Sequence, residues 1–266
     1  MDDSVVITAA ASGEVDTADL WQALAAGRDG WQDVNKWTRE LPERIAEMAG
    51  EALAGAAVTG AAGTDLATPD PTATACVIGS GYGSGHVAET IRARLDAGAR
   101  SSLAPESFLY FNAHGVTSLI CLRHRLRGYC ATVLGAGAGL QALAIARRRL
   151  RPEGAGPVLC GTYELLSPAA ARARGSDPVS GRAAFLVLET AARARGRGAR
   201  VLGTLGPVET FPVPAADLAA RPGDPLVTAP LAELVSVLTG TGAPTTATVT
   251  AASGRTGYRC TASRKG

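Results

Sequence analysis

The segment Gly135-Ala136-Gly137-Ala138-Gly139 has the shape, though not the side chain, of a catalytic turn. It follows the apolar run Ala131 to Leu134, which reads as a strand. It precedes Leu140, Leu143, Ala144 and Ala146, whose spacing predicts a helix. A strand that turns sharply into a helix holds its apex side chain over the helix N-terminus. Backbone N–H groups and the helix dipole there favour an anionic nucleophile. The apex is Ala136, which offers no nucleophilic atom. Two thiols stand nearby in the chain, Cys130 and Cys160. With His114 or His124 as base, either would serve a hydrolase or an acyltransferase, although a cysteine inside an apolar run such as Val158 to Gly161 is more commonly core.

A second glycine-rich turn, Gly79-Ser80-Gly81-Tyr82-Gly83-Ser84-Gly85, sits between the strand Ala73 to Ile78 and a helix from about His86 to Ala97. That placement suits a phosphate cradle, and with it a nucleotide-dependent oxidoreductase. The dinucleotide fingerprint needs glycine at its sixth position, where Ser84 stands, and no Gly-Lys-Ser/Thr of a P-loop is present. On the helix that follows, Val87, Ile91 and Leu95 share one face, while His86, Glu89, Thr90, Ala93 and Ala97 share the opposite one. The second face fits exposure to solvent, a tunnel wall or a subunit contact.

The elements that must position these groups alternate along the chain. Strands are expected at Val5 to Thr8, Ala73 to Ile78, Ala131 to Leu134, Val158 to Gly161 and Arg182 to Glu189. Helices are expected at Asp16 to Ala26, Thr38 to Ala57, Phe108 to Arg125 and Glu189 to Arg197. Val58 to Pro71 reads as a loop. After a strand at Arg200 to Leu205 come the Pro-rich stretch Pro207 to Pro225 and a helix from Leu231 to Leu238. Two strands, Ala247 to Ala251 and Tyr258 to Ala262, close around Ser253-Gly254. The pattern is that of α/β layers. With 266 residues, 46% hydrophobic and only 5% aromatic, the chain suits an Ala/Val/Gly-rich scaffold, as one large or two fused domains. A balance of 26 basic and 24 acidic residues argues against nucleic acid as a partner. The arginine runs Arg147 to Arg149 with Arg151, and Arg193 to Arg200, read as solvated helix faces or as a docking surface for an acidic partner. Five scattered cysteines without C-x-x-C spacing support neither zinc nor a disulfide framework. No leader and no membrane span is apparent, so a cytoplasmic location is expected.

Several segments, in order, resemble the β-ketoacyl synthases of fatty-acid and polyketide synthesis. Val5-Val6-Ile7-Thr8 with Leu20-Trp21-Gln22-Ala23-Leu24-Ala25-Ala26-Gly27-Arg28 is similar to that family's opening strand and its W-x-A-L-x-x-G-R helix. Leu126-Arg127-Gly128 resembles the L-x-G before the nucleophile strand, and Ala138 to Leu143 the helix after it. Gly181 to Glu189 resembles the G-E-G-A-A-x-L-V-L-E strand. Leu231 to Leu238 is similar to the second half's packing helix, and Thr248 to Thr261 to its last two strands. The resemblance implies an α/β thiolase-like α-β-α-β-α architecture, with a first half over 1–205 and a shortened second half over 206–266. The missing part falls around Phe211 to Pro225.

The departures carry the functional expectation. The family places its cysteine where Ala136 stands, and two histidine loops after it. Here His86, His114 and His124 all precede the apex, so condensation chemistry is lost. The resemblance is therefore to a chain-length factor, the non-catalytic subunit that pairs with a full-length ketosynthase in type II polyketide systems. It implies a heterodimer, an acyl carrier protein that delivers the chain, and no cofactor or metal. It also implies a tunnel end formed by His86, Glu89, Thr90 and Ala93 for a growing polyketide or polyene chain.

Overall fold

The computed structural model describes residues 4–56, 70–150, 155–174, 180–214, 227–242 and 244–266. The expected loop from Val58 lies outside them up to residue 69, as do residues 215–226 of the Pro-rich stretch. The strands are β1 (Val5–Asp16), β2 (Ala75–Ser80), β3 (Cys130–Leu134), β4 (Val158–Glu164), β5 (Ser180–Thr190), β6 (Gly203–Pro212), β7 (Thr246–Ser253) and β8 (Thr256–Arg264). The helices are α1 (Ala18–Ala25), α2 (Trp31–Gly55), α3 (Gly85–Asp96), α4 (Glu106–Phe111), α5 (Gly115–Arg123), α6 (Ala138–Arg149), α7 (Pro168–Arg174), α8 (Ala191–Gly196) and α9 (Ala229–Thr239).

The eight strands form one sheet in the order β3-β2-β4-β5-β1-β6-β8-β7. Strand β2 runs parallel to both β3 and β4; the other pairings are antiparallel. The first five strands join the last three through the short ladder Val5↔Leu205, Val6↔Thr204 and Ile7↔Gly203. Position 203 must be glycine, since a Cβ there would stand 2.3 Å from the Ser263 carbonyl oxygen.

The layers follow from two apolar clusters. On one face of β1, β2, β4 and β5 lies a core with Leu20, Val34, Leu41, Ile45 and Ile120, contributed by α1, α2 and α5. On the other face α6 and α9 fill the space between the first five strands and β6, β7 and β8. They do so with Leu140, Leu143, Leu231, Leu234 and Leu238. The central helices are therefore apolar on more than one side, the pattern expected of a buried helix. The outward face of the last three strands is polar. Thr248 bonds Thr261 at 2.8 Å, Thr246 donates to Ser263 at 3.2 Å, and Arg259 pairs with Glu209. Among the described residues no helix packs extensively against that face.

Several boundaries differ from the expected ones. Strand β1 continues through Ala9 to Asp16 because β5 pairs with it along its length. Helix α2 begins at Trp31, seven residues before Thr38, and keeps Pro42 inside it. The single helix expected from Phe108 to Arg125 is two, α4 and α5. They break at Asn112, whose Oδ1 accepts from the His114 N–H at 2.9 Å. Strand β6 runs through Pro207 to Pro212, part of the stretch read only as Pro-rich, with a register shift between Leu205 and Val208. Helix α7 has no counterpart in the sequence reading.

Candidate functional site

The catalytic-shaped turn has the expected form. Strand β3 ends at Leu134, Gly135 turns at φ 115°, and α6 starts at Ala138. The turn closes by Ala138 N–H donating to the Gly135 carbonyl at 3.0 Å. Gly137 is pressed against the β7–β8 hairpin: a Cβ there would lie 3.1 Å from Ser253 Cβ and 3.2 Å from a Tyr258 ring carbon. Ala136 itself is exposed at the rim of the sheet. The turn thus carries a methyl group at its exposed apex. A cleft of about 530 Å³ runs along α6 beside this turn, between Gln141, Ala144 and Ile145 on one wall and Val208, Thr210 and Tyr258 on the other. Gln141 donates to the Tyr258 hydroxyl across it at 3.1 Å.

The second glycine turn is not an open anion cradle. Glu164, buried at the end of β4, fills it with its own carboxylate, accepting from Gly81 N–H at 2.8 Å and Tyr82 N–H at 3.1 Å. Gly83 N–H donates to Ser80 Oγ at 2.9 Å and Gly85 N–H to the Tyr82 carbonyl at 2.9 Å. A Cβ at Gly81 would stand 2.6 Å from the Glu164 oxygen, so that residue must be glycine for the carboxylate to enter. The donors that a phosphate would need are spent on the Glu164 carboxyl oxygens, and the nucleotide reading loses its physical basis.

Helix α3 buries Val87 and Ile91 as expected, but its buried face is rolled toward the polar side. His86, Val87, Thr90, Ile91 and Arg94 point inward together, and Leu95, expected as a core anchor, is 48% exposed. The proposed tunnel-end residues therefore separate into two pairs. His86 and Thr90 are buried, with the Thr90 hydroxyl turned onto the Val87 carbonyl at 2.8 Å. Glu89 and Ala93 lie at the half-buried margin, where Glu89 accepts from the Ala169 N–H at the start of α7. Neither ring nitrogen of His86 has a partner among the described residues, and burial lowers its pKa from 6.5 to about 4. Arg94, one turn beyond Thr90, is fully buried. Its Nη2 donates to the Trp31 carbonyl at 3.1 Å, while Nε and Nη1 have no partner among the described residues.

A third cluster lies between α5 and β3. The Sγ atoms of Cys121 and Cys130 are 3.4 Å apart, and the His114 Nε2 is 3.5 Å from Cys130 Sγ. His114 Nδ1 is 2.6 Å from Thr132 Oγ1, which in turn is 2.7 Å from Thr117 Oγ1. The structure thus joins Cys130 to His114 and leaves Cys160 apart: Cys160 is wholly buried and burial raises its thiol pKa. His124 instead faces α2, with Nε2 2.7 Å from the Ala46 carbonyl oxygen. Cys130 is held protonated by its contact with Cys121 and by burial. For Cys121 the Cys130 contact acts downward, but contact with Cys76 and burial outweigh it and push the thiol up to about 12. Among the described residues no group of three or more His, Cys, Asp or Glu side chains is arranged to hold a metal ion.

Strand β3 is the sheet edge, paired to β2 on one side and to nothing on the other among the described residues. Its last side chain, Leu134, is 52% exposed, and Gly83 lies against both it and Ala113, where α4 meets α5. Phe108, Leu109 and Phe111 of α4 and Leu122 of α5 are exposed as well, Leu122 by 78%. Leu109, His114 and Leu122 help line an adjoining groove of about 330 Å³. Among the described residues, this strand edge and the large apolar side chains flanking it form one exposed surface. No helix among the described residues is long and apolar enough to cross a membrane.

No protein-family model matches the chain. No curated protein matches it either. Solved structures do. The ishigamide ketosynthase/chain length factor is 18% identical, with 99% of this chain and 100% of that chain covered and a TM-score of 0.67. A type II polyketide acyl-carrier protein in complex with its ketosynthase bound to the hexaketide (AntDE:AntF) is 14% identical, with the same coverage and a TM-score of 0.67. A β-ketoacyl synthase from Burkholderia phymatum STM815 is 15% identical, again with 99% and 100% covered, at a TM-score of 0.65. The chain has the thiolase-like fold of the ketosynthases and chain-length factors.

Proposed function

We propose that the chain is a non-catalytic, chain-length-factor-like subunit. It pairs with a full-length ketosynthase and shapes the tunnel for an acyl chain delivered by an acyl carrier protein. The observation that carries this reading is Ala136, a methyl group at the exposed apex of a ketosynthase-type strand-turn-helix. Such a turn keeps its position in the fold but cannot form a thioester. The ketosynthase fold and its chain-length-factor neighbour support the class of protein, and the open β3 edge with its apolar flank supports a partner. Residues 206–266 act in this reading as the shortened second half, and His86, Glu89, Thr90 and Ala93 as the tunnel end. The buried pair would then line the wall and the marginal pair its rim.

The test is co-expression of the tagged chain with a full-length catalytic ketosynthase from a type II polyketide system. Equal amounts of the two subunits should co-purify, and the complex alone should elongate carrier-bound acyl groups. Leu134→Lys places a charge on the open edge and should release the partner while leaving the circular dichroism spectrum of the chain unchanged. A chain that stays monomeric beside the ketosynthase, or that elongates acyl groups alone, overturns the proposal.

One observation favours a second reading, that of a thiol enzyme: Cys130 lies within 3.5 Å of His114, beside an apolar groove. Turnover of a thioester substrate by the isolated chain, abolished in Cys130→Ser, would establish it.

A further inference from the structure

Cys121 and Cys130 sit on different elements, α5 and β3, and converge through the tertiary fold rather than through sequence spacing. Their sulfur atoms touch, both are partly accessible, and a histidine whose ring is held by Thr132 lies 3.5 Å from one of them. In the tautomer whose Nδ1–H donates to Thr132 Oγ1, Nε2 keeps its lone pair 3.5 Å from the Cys130 thiol. Two adjacent thiols held protonated at rest are poor nucleophiles until a base takes a proton from one of them. Once that happens, the second sulfur is already in place to resolve whatever the first has attacked. The other three cysteines are buried.

We propose that Cys121 and Cys130 are a redox-active dithiol that closes to an intramolecular disulfide by exchange with a low-molecular-weight disulfide. In the first step the Cys130 thiol gives its proton to His114 Nε2, and Sγ attacks one sulfur of the small disulfide. That S–S bond breaks, leaving a mixed disulfide on Cys130 and releasing one small thiolate, which takes the proton from His114. In the second step Cys121 Sγ attacks Cys130 Sγ. The new protein S–S bond forms and the second small thiol leaves with the Cys121 proton. The protein loses two hydrogens and is oxidised, and the small disulfide is reduced to two thiols. The closed bond ties the edge strand to α5 across the short connection 122–129. The inference stands whether or not that edge pairs with a ketosynthase.

The probe is glutathione. The reduced full-length chain is equilibrated with mixtures of reduced and oxidised glutathione, quenched with acid, alkylated and weighed intact, then digested with trypsin. Cleavage after Arg123, Arg125 and Arg127 separates the two cysteines, so closure appears as peptide 101–123 linked to peptide 128–147. The expected result is a two-hydrogen loss that grows with the oxidised fraction and a link that survives Cys76→Ser. Cys121→Ser and Cys130→Ser should each remove it, and the circular dichroism spectrum shows whether either variant has simply unfolded. His114→Gln should slow closure by about tenfold or more. A lasting glutathione adduct in place of the link, a link through Cys76, or no oxidation of the folded wild type at any ratio overturns the proposal. An unchanged rate in His114→Gln overturns the His114 step.

Discussion

His86 is the residue whose environment makes the most quantitative prediction. It is fully buried on the inner face of α3, and neither nitrogen has a hydrogen-bond partner among the described residues. Burial lowers its pKa from 6.5 to about 4. Above pH 6.5 the ring is neutral in folded and unfolded chains alike and contributes no pH dependence. As the pH falls below 6.5 the unfolded chain binds a proton that the folded chain refuses until about pH 4, so stability falls across that window. A shift of about 2.5 units, at 1.36 kcal/mol each, corresponds to a loss of roughly 3 kcal/mol. Carboxylates also titrate there, so the measurement is a difference. Urea unfolding of wild type and His86→Phe is followed at half-unit steps from pH 7.5 to about 4. Phe cannot charge, and it removes two unpaired nitrogens from the interior. The variant should therefore be at least as stable at pH 7.5 and should gain on wild type by about 3 kcal/mol at the acid end. Parallel curves would show that the ring finds a partner or solvent, and would refute the buried, neutral histidine.

Other expectations follow from the same geometry. Ala136→Cys should add one rapidly alkylated thiol, because the apex is exposed while Cys76, Cys160 and Cys260 are buried; condensation by the isolated variant should not appear in the mass spectrum of carrier-bound products. Glu164→Ala should cost about 3 kcal/mol in urea unfolding, because it leaves the Gly81 and Tyr82 N–H groups unpaired, one of them beside a new cavity. On the proposed function, Ala93→Phe in the reconstituted complex should shorten the product chain, read from carrier-bound masses. An unchanged distribution in an assembled, active complex would remove α3 from the tunnel end.

What the sequence conveyed about the fold, and what it withheld, divide along the line between local and distant contacts. Glycine turns between apolar runs announced β2, β3, α3 and α6, because a turn and a period are properties of neighbouring residues. Strand β1 past Thr8 was silent: Ala9, Ala10, Ala11, Ser12 and Gly13 have little strand propensity, and only pairing with β5 holds them extended. The candidate site shows the same division more sharply. The empty apex was legible in one residue. The buried face of α3 was legible only in Val87 and Ile91, since a period does not fix how far the helix is rolled, and that belongs to what packs there: the Trp31 carbonyl and α4. The choice made by the fold puts His86, Thr90 and Arg94 inside and Leu95 outside. That rolls the buried face from the Val87, Ile91 and Leu95 stripe toward its polar neighbour and leaves buried polar groups without partners among the described residues. Such an arrangement costs stability, so it persists where something other than stability requires it. This makes the inner line of α3, more than its half-exposed rim, the place where a tunnel role should be sought first.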